Sequence, residues 1–231
     1  MIDIKAIASG SSGNCYRVSD GSTALLLDAG IPIYKIQQGV DFRLSEIAGA
    51  LISHEHMDHV KAVPELAKRG ILIFGPPEVA KACACQSILS GPPLRRFTLD
   101  TWSIVPFQVE HDVTCYGYLL DSKQTGDRLV YITDAAAVPY TFGQVHYMMI
   151  EANYSLHILS RRATGGAIKD GLAARIAQSH MDIDGAIDIL RGLDPRALKQ
   201  VWLLHLSNGN SDAEAFRRMA QRATGAEVYI A

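Results

Sequence analysis

Cysteine is scarce in this chain, with four residues at Cys15, Cys83, Cys85 and Cys115. Cys83 and Cys85 form C-x-C inside a helix-like stretch. That spacing fits neither a zinc ribbon nor a C-x-x-C redox motif, so reduced, structural thiols are expected. Charge of one sign is also lacking. A formal net charge of −2 excludes a global electrostatic footprint for nucleic acid, so a polyanion would have to be met by local basic patches or by bound metals. Arg95-Arg96, Arg161-Arg162 and Arg217-Arg218 are candidate patches, although paired arginines are more often solvated surface. No apolar run approaches the length of a membrane span. The opening Met1-Ile2-Asp3-Ile4-Lys5 lacks a basic stretch followed by an apolar one. A cytoplasmic protein with no membrane partner is therefore expected. The Gly-rich turn at residues 10–14 lacks the G-x-x-x-x-G-K-[ST] order of a phosphate loop and reads as structural.

Nearly half the chain is hydrophobic (48%), enough to bury a substantial core. Apolar alternation predicts strands over residues 3–9, 15–18 and 24–27, with Asp20-Gly21 as a hairpin signal. Further strands are predicted over 71–74, 103–109, 116–120, 129–133, 147–150, 201–204 and 228–230. Helical spacing is predicted from Pro32 onward and over 64–69, 78–87, 172–178, 183–190 and 213–223. Two runs of strands, each followed by helices, point to an α+β protein with two facing sheets and helices outside. No linker, repeat or low-complexity stretch stands out, so a single domain over residues 1–231 is expected.

The densest chemical signal is Ser53-His54-Glu55-His56-Met57-Asp58-His59, directly after the apolar run Gly49-Ala50-Leu51-Ile52. Imidazole nitrogen and carboxylate oxygen are ligands that divalent zinc, manganese or iron accept. Other predicted strands also end in such groups: His111 after Val109-Glu110, Asp134 after Ile132-Thr133, and His205 after Leu203-Leu204. If these ends converge, His54, His56, Asp58, His59, His111, Asp134 and His205 make seven ligands. Seven exceed one tetrahedral ion and suit two ions that share a carboxylate.

The order H-x-H-x-D-H, followed by a His, an Asp and a His at later strand ends, resembles the metallo-β-lactamase superfamily across essentially the whole chain. Residues 8–15, Leu26-Leu27-Asp28-Ala29-Gly30, His111-Asp112, Glu151-Ala152-Asn153 and His205-Leu206-Ser207 resemble its YycJ/WalJ branch. That branch is regarded as DNA exonucleases related to the nucleases RNase J and RNase Z. The resemblance implies an αββα metallo-β-lactamase sandwich of two facing mixed sheets with helices outside. It also implies one metal on His54, His56 and His111, a second on Asp58, His59 and His205, and Asp134 bridging. Asp28 matches an aspartate that supports the histidine loop. Glu151 matches a position that orients a ligand histidine, and His180 a candidate general acid. The branch usually reads Gly-His-Leu-Ser-Asn where this chain has Ser179-His180-Met181-Asp182-Ile183.

The implied chemistry is hydrolysis of a phosphodiester in DNA or RNA by a water that two adjacent cations acidify. Asp58, His180 and Glu151 are the candidate catalytic residues. A small-molecule hydrolase acting on a cyclic phosphodiester, lactone or thioester is the alternative of the same fold, and a metal-free binding protein a third reading. The related RNA nucleases carry an inserted clamping domain, which this chain has no room for, so substrate would be held by loops and local arginines.

Overall fold

The computed structural model describes residues 1–231, the side chain of Asp170 excepted. It comprises two compact units, one of Met1–Gln108 with Val113–Arg128, the other of Val109–Asp112 with Leu129–Ala231.

The first unit opens with β1 (Asp3–Ala8), β2 (Cys15–Ser19) and β3 (Ala24–Leu27), an antiparallel meander. The hairpin between β2 and β3 is made by the Asp20 side chain. Its Oδ1 accepts from the backbone N–H of Ser22 at 3.0 Å and of Thr23 at 2.9 Å, the way Asp commonly closes a turn. Helix α1 (Ile33–Gly39) begins after Pro32, whose missing N–H and fixed φ suit a helix start, and it buries Ile36. Next come β4 (Ile47–Leu51), the single turn α2 (Met57–Val60), α3 (Val63–Lys68), β5 (Leu72–Phe74) and α4 (Pro77–Ala82). Strands β3, β4 and β5 are parallel, which completes a mixed sheet in the order β1-β2-β3-β4-β5. Leu26, Ala50 and Ile52 pack into one core with Ile36, Val63 and Leu66.

The same unit holds β6 (Phe97–Leu99), β7 (Trp102–Val109) and β8 (Cys115–Ser122), in hydrogen-bonded order β6-β7-β8. Trp102 and Tyr118 are fully buried, and each large ring keeps its polar tip satisfied. The Trp102 indole N–H donates to the Thr23 carbonyl at 3.2 Å, and the Tyr118 hydroxyl to the Ile52 carbonyl at 2.6 Å.

The second unit is built on β9 (Arg128–Ile132), β10 (Tyr147–Glu151), β11 (Gln200–Leu204) and β12 (Glu227–Ile230), all parallel neighbours in that order. Helices α5 (Leu156–Thr164), α6 (Asp170–Ser179) and α7 (Ile183–Arg191) connect β10 to β11, and α8 (Ala213–Thr224) connects β11 to β12. Asp182 caps α7 by accepting from Gly185 N at 3.0 Å, and Asp212 caps α8 by accepting from Ala215 N at 2.9 Å. Ile183, Ala186, Ile187 and Leu190 form the buried face of α7, as their spacing predicts. Parallel strands send their C-terminal ends to one edge, so β9, β10 and β11 deliver whatever follows them to the same place.

Two local expectations are corrected. The helix expected over 78–87 is shorter, because it stops at Ala82 and Ala84 turns left-handed at φ 47°. Cys83 and Cys85 therefore lie outside it. Residues 156–164 form a helix that periodicity does not indicate, because only Leu159 of it is buried.

Asp20 also accepts from the Ser122 hydroxyl at 2.8 Å, so one buried carboxylate ties the hairpin to β8. Replacing Asp20 with Ala leaves two backbone donors and a hydroxyl without their acceptor. The expected loss is about 1–3 kcal/mol of unfolding free energy. Urea denaturation measures it, and an unchanged midpoint would contradict this account of the turn.

Candidate metal centre

In the first unit β4 runs out through Ile52 and Ser53 into the histidine cluster. Asp28, at the end of β3, is completely buried beside it. Its carboxylate accepts from Ser53 N at 2.7 Å, from Ser53 Oγ at 2.9 Å and from His59 Nδ1 at 2.8 Å. These bonds determine the ring protons. A hydroxyl has one proton, and Ser53 gives its proton to Asp28, so Ser53 Oγ accepts from His54 Nδ1 at 3.0 Å. Both His54 and His59 therefore carry the proton on Nδ1 and keep the Nε2 lone pair. His54 Nε2 lies 3.0 Å from His56 Nδ1, and His59 Nε2 lies 3.6 Å from Asp58 Oδ2. The ring centroids of His54 and His59 are 4.1 Å apart.

The cluster is held by backbone as much as by side chains. Asn14 N donates to the Asp58 carbonyl at 2.8 Å, Ala29 N to the His59 carbonyl at 2.9 Å, and Gly30 N to the Asn14 carbonyl at 2.8 Å. A Cβ on Gly30 would run into the Asp58 carbonyl itself. Asn14 Nδ2 also donates to His59 Nε2 at 3.1 Å.

In the second unit Glu151, the last residue of β10, is fully buried. Its Oε1 accepts from His180 Nδ1 at 2.7 Å and from His205 Nδ1 at 2.9 Å. Its Oε2 accepts from Ala135 N at 2.9 Å and from Met181 N at 3.1 Å. Asp134, beyond the end of β9, has Oδ1 at 3.0 Å from His205 Nδ1 and Oδ2 at 4.0 Å from His180 Nδ1. Donor atoms of Asp134, Glu151, His180 and His205 all fall within 4.8 Å of one another. His111 Nδ1 donates to the Ser179 carbonyl at 2.8 Å, and its ring lies 6.0 Å from that of His180.

This second group is strongly negative for so dry a place. Burial by itself would lower the His205 imidazole, but the charges and hydrogen bonds of Asp134 and Glu151 outweigh it and lift it to about 10. Burial likewise opposes a charged His180, and the Glu151 carboxylate overrides it and raises that ring too. Burial and the Asp134 charge would raise Glu151, but interaction with His180 and the hydrogen bonds from His180 and His205 outweigh them and hold it below the usual carboxylate range. A field that holds protons on buried imidazoles also favours a divalent cation in their place, since ligand deprotonation and metal binding are linked. The donors are imidazole nitrogen and carboxylate oxygen, the set that zinc, manganese and iron accept, and they fit such an ion.

Of the residues singled out in the sequence, His54, His56, Asp58 and His59 come together in the first unit, with Asp28 beneath them. Asp134, Glu151, His180 and His205 come together in the second, with His111 next to His180. Several supporting residues stand in the quoted motifs without a role that the sequence assigns. Ser53 is the hinge of the Asp28 network, Asn14 anchors the polar turn to the histidine loop, and Asn153 Nδ2 donates to the His205 carbonyl at 2.8 Å. Each looks like a generic turn or strand-end polar residue, and its only signal is adjacency to a ligand or to a glycine-rich turn. Asp28, Asp134 and His205 also share a left-handed backbone, at φ 57°, 44° and 54°.

Comparison with known proteins is consistent in direction. Residues 23–206 match the model described as the Beta-lactamase superfamily domain. The exodeoxyribonuclease WalJ of Streptococcus pneumoniae is 26% identical over 245 residues, covering 97% of this chain and 89% of its own. The exodeoxyribonuclease YycJ of Bacillus anthracis is 22% identical over 231 residues, covering 94% and 86%. The metallo-beta-lactamase fold protein YhfI from Bacillus subtilis superposes with a TM-score of 0.74 at 20% identity, covering 100% of this chain and 97% of that one.

Removing the carboxylate charge with Asp28→Asn loosens the hold on His59. The expected effect is a 10–100-fold loss of metal affinity, about what lost support of a ligand usually costs. Gly30→Ala should do at least as much by displacing the Asp58 carbonyl. Competition with a chromogenic chelator reads both, and unchanged affinity in Asp28→Asn would contradict the role given to that carboxylate.

Proposed function

The chain belongs to the beta-lactamase superfamily and is a hydrolase of the metallo-β-lactamase fold, of α+β, αββα class, and from that premise we propose that it is a phosphodiesterase acting on nucleic acid, specifically a DNA exonuclease. In this reading the whole of residues 1–231 works as one catalytic domain in the cytoplasm. His54, His56 and His111 would hold one divalent ion, Asp58, His59 and His205 a second, with Asp134 shared between them. When bound, two such ions supply a water of lowered pKa and positive charge against the phosphoryl oxygens.

The observation that carries the reading is how the imidazoles are tied. His59 Nδ1 is bound to Asp28, His54 Nδ1 to Ser53, His111 Nδ1 to the Ser179 carbonyl and His205 Nδ1 to Glu151. Nε2 is then the nitrogen each would present to a cation. Fixing one ring nitrogen on a carboxylate, hydroxyl or carbonyl is the usual way a protein orients a metal-binding histidine. Glu151 acts in this way on His205 and equally on His180, so it is a positioning group rather than a ligand.

His180 is the side chain suited to proton transfer. Its Nδ1 is held by Glu151, and one-fifth of the side chain remains exposed, so its outer nitrogen is within reach of a leaving oxygen. The names of the relatives support nucleic acid as the substrate class, since both are exodeoxyribonucleases.

His56→Ala and Asp58→Ala should each lower hydrolysis of an oligonucleotide by about 10³-fold or more, with circular dichroism unchanged. The same protein should leave a panel of cyclic nucleotides, lactones and thioesters largely uncut. Full activity in either folded variant, or a preference for that panel, would overturn the assignment. His180→Ala should cost about 10²–10⁴-fold when the leaving group is a sugar hydroxyl. It should cost little when the leaving group is a nitrophenol that needs no proton. Equal losses on both would remove His180 as the acid.

A further inference from the structure

Helices α5 and α6 form a hairpin whose far end is fastened to the second unit's histidine–carboxylate group and whose start is fastened to Asn210. At its start Ser155 N donates to the Asn210 carbonyl at 2.8 Å, two residues after Asn153, which holds His205. At its end the Ser179 carbonyl receives His111 Nδ1, and His180 follows on Glu151. Between these ends very little is packed. Leu159 is the one buried residue of α5, and no described residue of α6 before Ser179 is buried.

The hairpin's charge departs from that of the chain. Residues 155–179 carry Arg161, Arg162, Lys169 and Arg175 against the single acidic Asp170, in a protein whose net charge is −2. Arg162 is engaged, donating to Asn210 Oδ1 at 2.9 Å. Arg161, Lys169 and Arg175 are exposed and form no ion pair among the described residues. Ile158, Arg161, Arg162 and Ala167 line a hollow of about 240 Å³ on the same hairpin. Exposed apolar groups stand among the cations. Leu172 is 51% exposed and lies three residues before Arg175, a spacing that puts neighbours on one helix face, with Lys169 at the helix start. Leu156 is 55% exposed at the start of α5.

We propose that the α5–α6 hairpin is an arm that holds single-stranded nucleic acid, with Arg161, Lys169 and Arg175 on its phosphates and Leu172 and Leu156 against its bases. The proposal rests on the phosphodiesterase reading of the neighbouring group. A strand presents both phosphates and flat apolar bases, and the hairpin presents cations and leucines together, with Lys169, Leu172 and Arg175 in alternation. At a rise of 1.5 Å per helical residue, Arg175 lies about 6 Å and Lys169 about 15 Å from Ser179 along α6. Both distances are of the length of a few nucleotides of a strand. The arm thus engages the strand just beyond the bond being cut.

The test uses the metal-loaded protein and a fluorescently labelled single-stranded oligonucleotide, read by anisotropy across a salt series. The combined variant R161Q/K169Q/R175Q should bind at least tenfold more weakly. With three phosphate contacts removed, its slope of log affinity against log salt should be shallower by about 2, at roughly 0.7 per contact on single strands. Hydrolysis of a small chromogenic phosphodiester should stay within twofold of the parent. Lys169→Glu alone, a single exposed change, should weaken binding in the same direction, and Lys169→Arg should not. Unaltered affinity and slope in these variants would overturn the proposal, as would stronger association with anionic lipid vesicles than with the oligonucleotide. A parent protein that binds through these cations but cleaves neither oligonucleotide nor chromogenic ester would sink the phosphodiesterase reading while upholding the arm.

Discussion

A carboxylate removed from water must be met by donors on every side, and that constraint organises both units. Asp28 and Glu151 are each fully buried, and each is surrounded by backbone N–H groups and imidazole nitrogens. The cost of leaving such a charge unpaired runs to several kcal/mol, so the groups around it have little freedom to turn away. Orientation of the histidines is thus a by-product of satisfying two buried acids. The sheet supplies the acids because both stand at the ends of strands that are apolar throughout, where the chain first meets polar surroundings.

The same logic explains what was legible in the sequence. The strands β9, β10 and β11 show as uninterrupted apolar runs because parallel strands are buried on both faces. Their abrupt ends in Asp134, Glu151 and His205 stand out against that background. The H-x-H-x-D-H run was visible for the same reason, as a sudden polar cluster after Leu51 and Ile52. Helix α7 was visible through the spacing of Ile183, Ala186, Ile187 and Leu190, all of which are buried.

What was hidden shares the opposite property. Helix α5 has no buried stripe, so hydrophobic spacing could not reveal it. The shortened α4 depends on a left-handed Ala84, a conformation that alanine does not advertise. Ser53 and Asn14 act through hydrogen bonds to residues 25 and 45 positions away, respectively, which no local pattern encodes. Pairings of that kind become visible only once the strands are in register. The sequence therefore shows which residues do chemistry more readily than it shows which ones hold them.

The left-handed turns at Asp28, Asp134 and His205 bear on how the protein tolerates change. An L-residue held in that conformation gives up about 1–2 kcal/mol relative to a glycine, which has no Cβ to clash. Redesign for heat resistance that followed backbone preference alone would put glycine at those three positions, among others. It would erase Asp28, Asp134 and His205 together with the buried hydrogen bonds they satisfy, since the strained backbone and the functional side chain occupy the same residue.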